Sequence, residues 1–178
     1  MRHVTLITTG GTIEKTYDEM TGTLENRQSI VRRMLEQLRL EETTVSIVEL
    51  MSKDSLVMTE EDRVHVLEAA QSALAGAADG VVILHGTDTL AQTGELLASR
   101  LGDVTAPVVL AGAMRPFEMV RSDALQNLTE AVFATGVLSP GVYCVAHGRA
   151  LRFPGVVKDR SRGTFVGGAG TGAGAGGR

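Results

Sequence analysis

The sequence is poor in aromatic residues and in positive charge, and both shortages exclude classes of partner. Its 178 residues include no tryptophan, and aromatic residues make up only 3% of the chain. A surface that stacks on nucleic-acid bases is therefore not expected. The formal net charge of −4 also argues against binding to a phosphate backbone. We predict no nucleic-acid partner.

Cysteine is also scarce, since Cys144 is the only one and no intrachain disulfide can form. It lies in an apolar run, so we interpret it as a small buried hydrophobic side chain, with a reactive thiol as the alternative. No apolar stretch is long enough to span a bilayer. The glycine pair at 10–11 interrupts the first apolar run too early for a targeting segment. We expect a cytoplasmic protein with no membrane partner.

What the sequence does contain is an alternation of short apolar runs with helical patterns. Runs rich in valine, isoleucine and leucine are interpreted as parallel strands buried on both faces, namely Val4–Thr8, Val45–Leu50, Gly80–Leu84, Val108–Ala111 and Val142–Ala146. Helical patterns between them begin near Ile30, Thr59, Leu90 and Ser122 or Asp123. This alternation predicts a single doubly wound α/β domain over residues 1–165, with a mainly parallel sheet and helices on both faces.

Two segments lack such periodicity. Residues 14–26 contain Tyr17, so we interpret them as a mobile loop over a site, with a plain surface connection as the alternative. Residues 166–178 are dominated by glycine and cannot bury enough surface to offset their ordering entropy. We predict a flexible tail there. A phosphate-binding loop is the alternative, but no strand-to-helix context supports it.

Two of the predicted strands end in glycine followed by threonine. Thr12 follows the glycine pair at 10–11, and Thr87 and Asp88 follow Gly86. Ligands of such sheets bind beyond the carboxyl ends of the strands, so we expect these side chains at one edge. A threonine hydroxyl is a weak nucleophile, which needs a base to take its proton and donors for the oxyanion it creates.

The candidate activators of a threonine are Tyr17, Asp88 and Lys158. A lysine desolvated near hydroxyls and a carboxylate can accept a proton or polarise a neighbouring threonine. Taken singly, Lys158 could be a solvated surface lysine, and Asp88 could simply cap a helix. His85 is interpreted as a buried, hydrogen-bonded histidine, with general catalysis as the alternative.

The motifs taken together resemble the bacterial L-asparaginase (asparaginase/glutaminase) family. Residues 9–13, Thr-Gly-Gly-Thr-Ile, look like its first signature, and residues 85–89, His-Gly-Thr-Asp-Thr, look like its second. Residues 111–116 and 121–128 also fit. The resemblance covers about residues 4–165 and is to the short-chain form that lacks the second, C-terminal domain.

The resemblance implies catalytic roles for residues at matching positions. Thr12 would attack the side-chain amide carbon, and Tyr17 would be a lid tyrosine that helps to activate it. Thr87 and Lys158 would form a hydrogen-bonded relay beside the scissile amide. Asp88 completes the catalytic set that the resemblance implies.

The resemblance also implies a substrate pocket. Asp88 would pair with the α-ammonium group, Ser55 would bind the α-carboxylate, and Asp54 would shape the pocket, with Thr87 close to the amide. This set suits a small zwitterion, which needs an anion for its ammonium group and donors for its carboxylate.

The function implied is hydrolysis of L-asparagine to L-aspartate and ammonia through an acyl-threonine intermediate, without a metal or organic cofactor. Alternatives are a broader enzyme that also takes L-glutamine, an amidase domain that supplies ammonia to another acceptor, and an inactive amino-acid-binding module. We expect a homodimer or larger assembly, because the open side of the site would otherwise be exposed.

Overall fold

The structure is a computed structural model that describes residues 1–167. The predicted tail begins at Val166. In the structure Val166 and Gly167 belong to the last strand, where they pair with Val157 and Val156. The rest of the predicted flexible tail lies outside the described residues.

The described chain folds into ten strands and four α-helices. The strands are β1 Arg2–Gly10, β2 Thr16–Asp18, β3 Thr23–Glu25, β4 Thr43–Lys53, β5 Gly80–Leu84, β6 Pro107–Ala111, β7 Gly141–Ala146, β8 Arg149–Arg152, β9 Val156–Asp159 and β10 Thr164–Gly167. The helices are α1 Val31–Leu35, α2 Glu60–Ala75, α3 Leu90–Arg100 and α4 Ala124–Ala134. Single 3₁₀ turns cover Thr12–Glu14 and Ser55–Val57.

The main sheet has the strand order β4-β1-β5-β6-β7-β8, and its first five strands run parallel while β8 is antiparallel. Helices α2 and α3 pack on one face through residues such as Val66 and Leu97. Helices α1 and α4 pack on the other through residues such as Met34 and Leu128. The predicted doubly wound α/β fold is thereby confirmed. No helix among residues 1–167 has the length and apolarity needed to cross a membrane.

Strand β4 does not match its prediction as a strand buried on both faces. It lies at the edge of the sheet, where only β1 pairs with it. Ser46 and Val48 are exposed, whereas Val45 and Ile47 pack against the apolar cluster on the α1 side. An apolar run alone cannot distinguish a central strand from an edge strand, because that depends on tertiary neighbours.

Residues 14–26, interpreted as a mobile loop over a site, contain a hairpin. Strands β2 and β3 pair antiparallel, and the turn between them uses Gly22 at φ +69°. The Asp18 carboxylate accepts hydrogen bonds from the Met20 N–H at 3.0 Å and from the Thr21 hydroxyl at 2.9 Å. Polar side chains hold this hairpin rather than a buried face, so apolar periodicity did not reveal it. Its mobility stays a prediction.

The cysteine lies in the core, as predicted. The Cys144 side chain is 1% exposed on strand β7, and burial raises the pKa of its thiol to about 12. The thiol therefore stays protonated and poorly nucleophilic at neutral pH.

Candidate active site

The loops that follow β1 and β5 touch through two glycines. A Cβ atom added at Gly11 would lie 2.4 Å from the Gly86 Cα, and Gly11 itself has φ +77°. A side chain at Gly11 would therefore be both strained and blocked. This close approach brings Thr12 and Thr87, the next residue in each loop, to the same edge of the sheet.

The turn before Thr12 is fixed by a buried carboxylate. The Gly10 N–H donates to Glu14 Oε2 at 3.1 Å, and the Ser29 hydroxyl donates to Glu14 Oε1. Burial raises the pKa of the Glu14 carboxyl despite these hydrogen bonds. The Asn26 side-chain amide also donates to the Gly11 carbonyl at 2.7 Å. Sequence reasoning missed Glu14, whose anchoring role depends on contacts that no motif encodes.

Thr12 begins the 3₁₀ turn and is half-buried. Within residues 1–167 its hydroxyl takes part in no side-chain hydrogen bond, so both its proton and its lone pairs are available to a ligand.

The second loop carries a cluster of a hydroxyl, a carboxylate and an ammonium group. Lys158 Nζ donates to Thr87 Oγ1 at 2.7 Å and to Asp88 Oδ1 at 3.0 Å. Thr87 is 4% exposed, and the Lys158 and Asp88 side chains are 15% and 25% exposed. Strand β9 presents Lys158 to this edge, where Phe165 of β10 pairs with it. The predicted juxtaposition of these three side chains is present.

Ser55 lies next to this cluster but is almost fully enclosed. It is 1% exposed, and a Cβ atom added at Gly86 would lie 2.5 Å from its Oγ. The Thr89 hydroxyl donates to the Ser55 carbonyl at 2.9 Å, which ties the second signature to this turn. The turn is followed by α2, whose start is closed by reciprocal hydrogen bonds between Thr59 and Asp62.

Asp54 is already paired within the chain. Lys15 Nζ lies 2.7 Å from its Oδ2, and the Leu56 N–H donates to its Oδ1 at 3.0 Å. The hydrogen bond from Lys15 is the main cause that lowers the pKa of the Asp54 carboxyl. Asp54 therefore links Lys15 to the turn that carries Ser55.

Tyr17 lies on the hairpin and is 58% exposed. Its backbone N–H donates to Glu118 Oε2 at 3.1 Å, whereas its hydroxyl makes no hydrogen bond to any of residues 1–167. The structure therefore does not bring the Tyr17 hydroxyl into hydrogen-bonding contact with Thr12.

Arg160 is a site residue that sequence reasoning missed. Its guanidinium lies 2.9 Å from Asp88 Oδ1, the oxygen that Lys158 also contacts. The only signal in the sequence is its spacing of two residues from Lys158, since alternate residues of a strand share one side. In the structure β9 ends at Asp159, and Arg160 begins the turn that follows.

His85 is held in the core immediately before the second loop. Its Nδ1 lies 2.8 Å from the Gly86 carbonyl and its Nε2 lies 2.8 Å from the Thr93 hydroxyl. A carbonyl only accepts, so Nδ1 carries the proton and Nε2 accepts from Thr93. Burial lowers the pKa of His85 to about 4. The interpretation as a buried, hydrogen-bonded histidine is confirmed.

A doubly wound domain with hydroxyl, carboxylate and ammonium groups clustered beyond its strand ends is an architecture suited to amide hydrolysis. The family model described as Asparaginase, N-terminal matches residues 3–165, and the chain belongs to this family. The family expectation from the two signatures is confirmed.

Solved L-asparaginases have the same fold. The thermostable L-asparaginase from Thermococcus kodakarensis superposes with a TM-score of 0.81 at 29% identity, covering 93% of this chain and 51% of that one. A probable cytoplasmic L-asparaginase from Campylobacter jejuni gives a TM-score of 0.77 at 27% identity, covering 94% and 52%.

Curated relatives by sequence include two kinds of protein. A glutamyl-tRNA(Gln) amidotransferase subunit from Methanococcus vannielii is 31% identical over 156 residues, which are 83% of this chain and 35% of the relative. The L-asparaginase of Thermococcus kodakarensis is 33% identical over 135 residues, which are 76% and 41%. The chain thus spans less than half the length of these relatives.

Proposed function

We propose that this chain hydrolyses the side-chain amide of L-asparagine to L-aspartate and ammonia. The observation that carries the proposal is the Thr87–Asp88–Lys158 cluster, which lies beside the loop that presents Thr12 because Gly11 touches Gly86. Hydroxyls with an ammonium group and a carboxylate are the groups that a two-step amide hydrolysis uses.

In the proposed first step the Thr12 Oγ attacks the amide carbon, and its proton passes to a neighbouring base. The Tyr17 hydroxyl accepts that proton when the hairpin closes over bound substrate, and it passes its own proton on through water to the Thr87–Lys158 relay. Backbone N–H groups near Gly11 and Thr87 stabilise the oxyanion of the tetrahedral intermediate. The C–N bond then breaks, and the Thr87–Lys158 relay gives the leaving nitrogen the proton it needs to depart as ammonia.

In the second step water attacks the ester carbonyl of acyl-Thr12. One proton of this water passes through the same groups back to the Thr12 oxygen, which regenerates the free enzyme. The other stays on the new carboxyl group, which releases it to solvent as L-aspartate leaves. Every proton transfer uses side chains of the protein and water, and the proposal includes no metal or organic cofactor.

The substrate is recognised as a zwitterion in this proposal. Asp88 binds the α-ammonium group, Ser55 donates to the α-carboxylate, and Asp54 holds the rim through Lys15. L-Glutamine differs by one methylene, which a pocket discriminates by only about 1–3 kcal/mol. A broader specificity that includes L-glutamine is therefore compatible with the same residues.

A second candidate is an amidase domain that supplies ammonia to another acceptor. The observation favouring it is that several of the curated relatives are named as subunits of glutamyl-tRNA(Gln) amidotransferase. Under that alternative the chain works within a complex and its ammonia release depends on a partner. Under our main proposal it works without a different partner protein, as a homodimer or larger homo-oligomer in the cytoplasm.

Ammonia release from L-asparagine and L-glutamine tests these alternatives directly. We expect the parent and Thr12→Ser to release ammonia from L-asparagine, because both keep a hydroxyl, and Thr12→Ala to release essentially none. Thr129→Ala, which removes an exposed hydroxyl on α4, is the matched control and should behave like the parent. Undiminished release by Thr12→Ala would refute the nucleophile assignment. Binding of L-asparagine without release by the parent would favour an inactive binding module.

A further inference from the structure

Asp88 is contacted by two cations at a single oxygen. Lys158 Nζ lies 3.0 Å and Arg160 Nη2 lies 2.9 Å from Asp88 Oδ1. The two cations differ in exposure, since the Lys158 side chain is 15% exposed and the Arg160 side chain is 70% exposed. One carboxylate oxygen therefore contacts two cations, and a single carboxylate can neutralise only one of them.

The donors of Lys158 and Arg160 are occupied to different extents. Lys158 has three N–H donors and uses two of them on Thr87 and Asp88. Arg160 has five donors in a rigid fork, and its contact with Asp88 engages one nitrogen of that fork. Arg160 therefore presents spare, solvent-facing donors directly beside the proposed ammonium site.

Among the other side chains near this point, the Ser55 hydroxyl is the donor that the proposed function assigns to the α-carboxylate, and it is neutral. Ser55 is 1% exposed, and its neighbour Leu56 offers only an apolar side chain to solvent. Lys15 is paired with Asp54 at 2.7 Å. A neutral, enclosed hydroxyl also stabilises a carboxylate less than a guanidinium does, because charge-assisted hydrogen bonds are the stronger ones.

The ammonium and carboxylate groups of an α-amino acid are attached to the same carbon atom. If Asp88 binds the ammonium group, the carboxylate must lie within a few ångströms of Asp88. We propose that Arg160 binds the α-carboxylate of the substrate alongside Ser55 and so selects α-amino acid amides over simple amides. This inference rests on the proposed function for the nature of the substrate, and it adds a specificity residue to that site.

Two amides that differ in the carboxylate test the assignment. L-Asparagine carries both charged groups, whereas 3-aminopropanamide keeps the ammonium group and the amide but has no carboxylate. Arg160→Gln should raise KM for L-asparagine by about tenfold to a hundredfold, the usual size of a lost hydrogen bond to a charged group. It should change KM for 3-aminopropanamide by less than about twofold and leave kcat for both largely unchanged.

Two further variants sharpen the test. Arg160→Lys keeps the charge but loses the fork, so it should recover only part of the affinity for L-asparagine. Arg162→Gln removes an exposed arginine from the same turn and should leave both KM values at those of the parent. An equal rise in KM for both amides after Arg160→Gln would overturn the assignment. A lower KM for L-asparagine would also overturn it, since Arg160 would then occupy the Asp88 site and compete with the ammonium group of the substrate.

Binding of the product separates this inference from the proposed function. Calorimetric titration with L-aspartate needs no turnover, and Arg160→Gln should weaken that binding about tenfold or more. If the parent releases no ammonia, the proposed function fails, while weakened L-aspartate binding by Arg160→Gln still supports the role of Arg160. Unchanged L-aspartate affinity in Arg160→Gln would refute the role of Arg160 even if the parent is an active asparaginase.

Discussion

Acidification should destabilise this fold through His85, the buried residue that precedes the second active-site loop. The imidazole is fully enclosed and neutral, and it bonds the Gly86 carbonyl on one side and the Thr93 hydroxyl on the other. Burial lowers its pKa from 6.5 to about 4. The unfolded chain therefore takes up a proton at a higher pH than the folded protein does.

The sign and size of the effect follow from the two pKa values. Because the folded pKa is the lower one, the contribution of His85 to stability is complete above about pH 6.5 and is lost as the pH falls towards about 4. The loss amounts to about 2 kcal/mol by pH 5 and about 3 kcal/mol over the whole window. Such a loss is a large part of the stability of a small domain.

Urea unfolding of the parent and of His85→Gln between pH 7 and pH 5 measures the pH-dependent contribution of His85 to the free energy of unfolding. The glutamine side chain does not titrate, so the parent should lose about 2 kcal/mol more than the variant over that range. The difference between the two proteins cancels every titration that the substitution leaves unchanged. A titration of the histidine ring signals by NMR needs no variant, and it should find the His85 ring neutral at pH 5. Parallel pH dependences in the two proteins, or a His85 ring that titrates near pH 6.5, would refute the reasoning.

Three further outcomes are expected. Gly11→Ala should cost more stability and activity than Gly102→Ala, measured by thermal unfolding and ammonia release, because both glycines have positive φ but only Gly11 abuts another backbone; equal effects would contradict the close contact. Burial raises the pKa of the Glu14 carboxyl, so the folded state holds this proton more tightly and the free energy of unfolding should fall as the pH rises. Glu14→Gln should abolish that fall, which urea unfolding at several pH values measures. An unchanged dependence of the free energy of unfolding on pH in Glu14→Gln would count against this. Lys158→Met should lower kcat by about a hundredfold or more, and a kcat within about twofold of the parent would exclude the relay.

The central strands were predictable because buried strands consist almost entirely of apolar residues, and the sequence shows this directly. Strands β5, β6 and β7 are buried throughout, and an apolar run that does not alternate with polar residues is typical of parallel strands covered on both faces. The hairpin of β2 and β3 and the small sheet of β9 and β10 have mixed composition. Their pairing depends on tertiary contacts that local patterns do not record.

The site was predictable only in part. Gly86 and Thr87 could be placed from the sequence, because a glycine at the end of an apolar run indicates a loop at the sheet edge. Lys158 lies 71 positions from Thr87 in the sequence, so its place beside Thr87 came from the family resemblance and not from any local pattern. Glu14 escaped notice because nothing in the sequence distinguishes it from an ordinary surface charge. Arg160 escaped notice because its spacing of two residues from Lys158 lies outside the motifs.

The identity of the nucleophile is the central claim, and covalent labelling tests it most directly. A diazoketone analogue of L-asparagine places an electrophilic carbon where the amide carbon would lie, so a nucleophile activated for amide attack should react with it. After labelling, peptide mass spectrometry should find the adduct on Thr12, in step with the loss of ammonia release. Thr12→Ala should remain unlabelled, whereas Thr129→Ala should be labelled like the parent. An adduct on another residue, with Thr12 unmodified in the fully inactivated protein, would contradict the account.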